Sequence, residues 1–171
     1  MIIVRVNGAA APQGSKRVNA HGAIYESSAA VKPWREAVRA ETQRAVAADR
    51  LGVPYGKDEA IEVSLLFLLA RPRGHYRAGQ STSHLLREGA PVRPRSRPDI
   101  DKLTRAVLDG LTAGGAYADD CQIADLIVSE DYVDAGEVPG CLIRVELATV
   151  VPWVDRDLFR YPDSYLSAGA L

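Results

Sequence analysis

A chain of 171 residues favours one domain with flexible additions over two full domains. Its 47% hydrophobic content is enough for a core and excludes wholesale disorder, while a formal charge of −1 says little until its distribution is considered. The longest apolar run, Val63 to Ala70, is of buried-strand length, so no membrane partner is expected; the opening MIIVRVNG has no basic leader, so a cytoplasmic protein is expected.

In chain order, Ile2 to Val6 is β-branched apart from Arg5 and ends at Gly8, the pattern of a first strand. Ala9 to Gly22 reads as loop, punctuated by Pro12, Gly14 and Gly22, and carries the cations Lys16 and Arg17. Ile24 to Glu26 suits a short strand. Pro33 opens a helix at a position where its missing N–H costs nothing, and Trp34, Val38, Ala45 and Val46 supply part of an apolar stripe. Gly52 and Pro54 mark its exit. Ile61 to Leu69 first alternates and then becomes continuously apolar, as a central strand does.

Between Arg71 and Pro98 the composition changes. Seven arginines (71, 73, 77, 87, 93, 95 and 97) stand against one acid, Glu88, among Gly, Ser and four prolines. Such a segment supplies no core and is expected to be a mobile basic arm, poorly ordered by itself from about Arg73 to Arg93. A helix follows from near Asp99 to about Thr112, with Ile100, Leu103, Val107 and Leu111 on its inner face and Gly114-Gly115 as its stop. Ile123 to Val133 and Cys141 to Val151 read as strands joined across Gly136 and Pro139, and an antiparallel hairpin is expected. The tail 152–171 holds Trp153, Phe159, Tyr161 and Tyr165 between charges and prolines, and suits docking or partial disorder. Cys121 and Cys141 are too few for a zinc or disulfide framework and are expected to be reduced and semi-buried. His21, His75 and His84 lack metal-ligand spacing and read as surface residues.

Two acidic motifs flank the second helix: Asp99-Ile100-Asp101 before it and Asp119-Asp120 after it. Asp99 and Asp101 lie at the positive end of the helix dipole, which favours their ionised forms. A fold that returns the chain beside the helix start would crowd these carboxylates, and crowded carboxylates need a cation. Magnesium, with manganese as a substitute, suits hard oxygen ligands and leaves positions for phosphate. Arg105, four residues beyond Asp101, shares its helix face. Each feature also has an ordinary reading. Asp99 alone is a helix N-cap, Asp119-Asp120 is common turn chemistry, and Arg105 can pair with Asp101 or Asp109. The arm can be a solvated loop, and the seven acids between Asp119 and Glu137 can be a solvated strand face.

The run Arg97-Pro98-Asp99-Ile100-Asp101-Lys102-Leu103-Thr104-Arg105-Ala106-Val107-Leu108-Asp109-Gly110-Leu111 resembles the signature of RusA-type Holliday junction resolvases, roughly R-P-D-x-D-N-x-x-K-x-x-x-D-A-L. In that signature an aromatic and D-D-x-Q-[IV] follow a glycine-containing turn. This chain supplies Tyr117, Asp119, Asp120, Gln122 and Ile123 in order. Pro12-Gln13-Gly14-Ser15-Lys16-Arg17, Glu26-Ser27-Ser28 and Lys32-Pro33-Trp34-Arg35 are similar to the family's phage and prophage form. The likeness covers residues 1 to about 150.

The resemblance implies an α+β fold, a small mixed sheet packed with two main helices, in a homodimer whose nuclease domain spans 1–151. It implies that Asp99, Asp101 and Asp120 bind catalytic Mg2+ with Asp119 in support, and that Arg105 stands where the family has lysine. It implies DNA contacts from Lys16, Arg17, Arg87, Arg93, Arg95, Arg97 and Lys102, the last replacing the family's asparagine. The expected activity is paired, symmetric cleavage of four-way DNA junctions in recombination and repair. Two other readings stay open: a broader flap or fork nuclease, and a junction-binding protein with weak catalysis.

Overall fold

The computed structural model describes residues 1–14, 16–18, 24–26, 28–48, 55–79, 85–133 and 137–149, with 16–18 and 24–26 described as backbone. Its elements are β1 (Ile2–Asn7), β2 (Lys16–Val18), β3 (Ile24–Glu26), α1 (Val31–Ala48), β4 (Ile61–Leu69), α2 (Ile100–Gly114), β5 (Ile123–Tyr132) and β6 (Gly140–Leu147). Single 3-10 turns form at Arg73–His75 and Asp120–Gln122.

Four strands make a mixed sheet in the order β1-β6-β4-β5. β6 is antiparallel to both β1 and β4, whereas β5 runs parallel to β4, with Val63 opposite Leu126 and Leu65 opposite Val128. The hairpin expected from the β5–β6 sequence is therefore absent, and β4 lies between those two strands. The burial patterns give the reason. β4 and β6 alternate with deeply buried Val63, Leu65, Phe67, Cys141, Ile143 and Val145, so both belong inside the sheet, while β5 is half exposed and suits an edge. A parallel neighbour demands a crossover, which the arm and α2 provide.

A second correction concerns the loop expected over residues 9–22. Lys16–Val18 forms a short strand paired antiparallel with Ile24–Glu26. A three-residue strand carries almost no periodicity, so its partner rather than its own pattern defines it. Gly52, Pro54, His21, His84 and the tail 152–171 lie outside the described residues.

Both helices pack on one face of the sheet. Leu103, Val107 and Leu111 of α2 are fully buried, each worth roughly 1.5–3 kcal/mol relative to exposure. Ile100, expected on that inner face, is 40% exposed and instead lines a surface cleft. α1 contributes Val31, Trp34, Val38 and Thr42. The two helices meet through Gly110 and Gly114: a Cβ at Gly110 would stand 2.7 Å from Val38 Cβ, and one at Gly114 2.6 Å from Thr42 Cβ. Gly114 thus serves packing, and Gly115 alone stops the helix in the left-handed conformation (φ 79°), with the Ala116 N–H returning to the Leu111 carbonyl at 3.1 Å. The cysteines divide: Cys121 is exposed, whereas Cys141 is buried, which pushes its thiol up to about 12. Among the described residues no helix is long and apolar enough to cross a membrane.

Candidate active site

α2 carries the first acidic motif on its opening turn. The cis Arg97-Pro98 bond leads into Asp99, whose extended backbone caps the helix without a side-chain hydrogen bond to it. The Asp99 carboxylate instead accepts from Lys102 Nζ at 2.6 Å. That hydrogen bond first, then the charges of Lys102 and Arg97, hold the Asp99 carboxyl below the usual carboxylate range. The Gln13 N–H donates to the Lys102 carbonyl at 3.0 Å, so Pro12-Gln13-Gly14 lies against the helix start. Pro12, Gln13, Arg97, Asp99 and Lys102 line a cleft of about 560 Å³ there.

The second motif is built differently. Asp119 Oδ1 accepts from the Cys121 N–H at 2.9 Å while Gln122 Oε1 accepts from the Asp119 N–H at 3.1 Å, a reciprocal capping box. These Cys121 hydrogen bonds lower the Asp119 carboxyl. Gln122, buried at 6% exposure, also donates from Nε2 to the carbonyls of Gly56 (2.6 Å) and Glu59 (3.1 Å). The signature's glutamine is thus the strut that fixes the turn presenting Asp120. Tyr117 packs beneath it, its hydroxyl directed to the Leu108 carbonyl, and burial raises its phenol to about 12.

Asp101, Arg105 and Asp120 all line a second cleft, of about 530 Å³, between α2 and β5, with Ile100, Leu108 and Leu126. Asp101 lies at its α2 N-terminal end. Asp120 lies in the turn that enters β5, and it is Glu130, far along that strand, that stands near Asp99. The stretch of strand from Ile123 to Glu130 spans about 23 Å. Asp119 and Asp120 therefore return beside the far end of α2 rather than beside Asp99. Among the described residues no three His, Cys, Asp or Glu side chains stand close enough to hold one metal ion. The donors nonetheless suit magnesium in kind. Neither Asp101 nor Asp120 forms an ion pair with a Lys, Arg or His among the described residues, which leaves hard, ionisable oxygens facing solvent. Arg105 is exposed and forms no such pair either; Asp109 is taken by Arg35 of α1 at 3.0 Å.

One of the acids that read in the sequence as a solvated strand face stands at the helix start instead. Glu130 of β5 stands near Asp99; burial and then the Asp99 charge raise its carboxyl, and its Oε1 is shut from solvent without a hydrogen-bond partner among the described residues. Only the strand alternation of β5, which puts Leu126, Val128 and Glu130 on the helix side, could have pointed to it.

The described residues of the segment 71–98 contribute none of the buried core, as its composition requires, yet they are fastened to the sheet. Arg71 stacks on the Tyr132 ring at 4.1 Å and donates to the carbonyls of Pro91 (2.6 Å) and Val92 (3.3 Å). Arg93 donates from Nε and Nη2 to the Glu130 carbonyl at 3.2 and 2.8 Å. A bridge pairs Tyr76 with Leu86. His75 packs edge-on against Tyr132, so it is half-buried rather than a plain surface residue; burial lowers its pKa, helped by Arg71, Arg87 and Arg95. Arg87, Arg95 and Arg97 are exposed. The side chains of Lys16 and Arg17 lie outside the described residues.

The family described as Endodeoxyribonuclease RusA matches residues 7–146 of the chain. No curated protein matches it in a direct sequence comparison.

Proposed function

The chain belongs to the RusA endodeoxyribonuclease family, and from that premise we propose that it is a magnesium-dependent homodimeric resolvase of four-way DNA junctions. The observation that carries this reading is the pair of exposed carboxylates, Asp101 and Asp120, facing one cleft with no internal cation on either among the described residues. Asp99 and Asp101 at one end of that cleft, and Asp120 with Asp119 behind it at the other, are the candidate ligands. Bound there, magnesium supplies a Lewis acid that polarises the phosphodiester, activates water and steadies the leaving oxygen.

The chain's own residues supply the rest. Arg105, free of Asp109, is available to the equatorial phosphate oxygens, where a guanidinium offers two parallel N–H bonds. Lys102 and Arg97 offset the carboxylates that would otherwise repel the DNA backbone. Arg87 and Arg95 on the arm supply longer-range attraction to phosphates. Paired symmetric cuts on a near two-fold substrate call for an isologous dimer.

Magnesium-dependent cleavage of a synthetic four-way junction, mapped strand by strand beside flap and fork substrates, tests this reading. Symmetric paired cuts on the junction, lost in Asp101→Asn, are expected. Equal cutting of flaps and forks would favour the broader nuclease, and binding without cutting would favour the junction-binding protein.

A further inference from the structure

We infer that Leu85, framed by Arg77 and Arg87, is a wedge that enters the base stack at a DNA branch point and makes the chain prefer branched over linear DNA. This rests on the nuclease reading and adds what the basic arm recognises.

The arm is built to hold that side chain out. The Arg77 N–H donates to the Leu85 carbonyl at 2.8 Å and the Arg87 N–H to the His75 carbonyl at 2.9 Å, so 75–77 and 85–87 form a short antiparallel ribbon around the Tyr76–Leu86 bridge. Side chains alternate along such a ribbon, and directly opposed residues share a face. One face therefore carries His75, Arg77, Leu85 and Arg87, with Arg77 across from Leu85 and Arg87 two residues along; Tyr76 and Leu86 take the other. Leu85 is 42% exposed, and Arg77 and Arg87 are exposed beside it. Arg77 Nε donates to the Leu86 carbonyl at 3.3 Å, which fixes its guanidinium against the ribbon. The root of the ribbon lies at the catalytic end of the molecule. His75 packs on Tyr132 at the close of β5, and Arg93 donates to the carbonyl of Glu130, the residue that stands near Asp99.

An apolar side chain between two guanidiniums matches the chemistry of a base step, whose faces are apolar and whose flanks are phosphates. Seven arginines against one acid between Arg71 and Pro98 set the sign of the partner. Parting a stacked step of continuous duplex costs free energy, whereas at a branch point the stack is already interrupted. Leu85 thus gains burial against base faces at a branch with less unstacking than in a duplex. The arginines meet phosphates alike in both and add affinity without discrimination.

Binding measured without magnesium tests the wedge apart from cleavage. The full chain is titrated into a four-way junction with 2-aminopurine beside the branch, and into linear duplex of the same sequence. The parent should brighten that probe several-fold, and hardly change one placed a helical turn away. Leu85→Ser should abolish the brightening and weaken junction binding roughly tenfold, the cost of leaving a leucine unburied. Duplex affinity and the salt slope should stay as in the parent, because no phosphate contact is lost. Leu85→Met, still apolar, should keep the brightening and the preference. Unchanged glutamate-specific proteolysis at Glu88 in both DNA-free variants would show the ribbon intact. A Leu85→Ser variant that brightens and prefers junctions like the parent overturns the wedge and leaves Leu85 to a protein partner; equal weakening on duplex and junction overturns it too. A parent that brightens the probe through Leu85 yet never cuts with magnesium would sink the nuclease reading and leave the wedge standing. A cutting parent whose Leu85→Ser variant is unaltered does the reverse.

Discussion

Lys102 holds its ammonium 2.6 Å from Asp99 Oδ2, one turn along α2, at the position where the RusA signature has asparagine. The pair gives Asp99 an internal cation, which any magnesium ion approaching that carboxylate has to displace. Both partners are more than 40% exposed, so the pair is worth about 1 kcal/mol at most. Lys102→Asn should therefore lower the magnesium concentration at the midpoint of a thermal-shift titration, by up to about fivefold. An unchanged or higher midpoint would show that Lys102 does not compete for Asp99.

Arg105 should act on rate more than on binding. Arg105→Ala is expected to lower turnover by roughly 10²-fold with junction affinity within a few-fold of the parent. Arg105→Lys should keep appreciable activity, because lysine is the signature's own residue there. A fully active alanine variant would reduce Arg105 to a helix-surface residue.

The arm's arginines should divide into two classes. Arg71 and Arg93 spend their N–H groups on carbonyls, so Arg71→Gln with Arg93→Gln should speed glutamate-specific proteolysis at Glu88 several-fold in DNA-free protein. Arg87→Gln with Arg95→Gln should leave that proteolysis unchanged and lower the salt slope of junction binding by about 0.9 per lost phosphate contact. The opposite assignment of the two effects would mean that the fastened arginines are the ones that meet DNA.

Gly110 should resist substitution even by alanine, the residue of the signature. The added Cβ would meet Val38 Cβ and Cγ1 at 2.7 Å and the Arg35 carbonyl at 3.2 Å, costing about 1–3 kcal/mol and several degrees of Tm. Val38→Ala in the same chain should recover part of that loss, as coupled neighbours do. Strict additivity in calorimetry would place the strain elsewhere.

His75 should titrate below its usual value of 6.5, because burial and three neighbouring arginines disfavour the imidazolium. As pH falls from about 6.5 toward the depressed folded value, the unfolded chain takes the proton first, so stability drops across that window. His75→Gln should remove that part of the acid-side decline. A midpoint at or above 6.5 by NMR would contradict the proximity of Arg71, Arg87 and Arg95.

Residue order along the chain was enough to delimit β1, β4 and α2 to within about two residues, because their burial patterns repeat over several residues. It was enough, too, for the family, since Arg97 to Leu111 and Tyr117 to Ile123 carry specific chemistry at specific spacing. Tertiary structure decided everything that depends on which element lies beside which. Adjacent strands β5 and β6 are parted by β4, since hydrogen-bonded pairing follows burial across the whole sheet rather than closeness in sequence. The same crossover carries Asp119 and Asp120 to the far end of α2 from Asp99. The turn of Asp119 and Gln122, the Lys102–Asp99 pair and the Arg71–Tyr132 stack are contacts between side chains whose partners no one-dimensional pattern names. Periodicity records which face of an element is buried; it holds no information on what is buried against it.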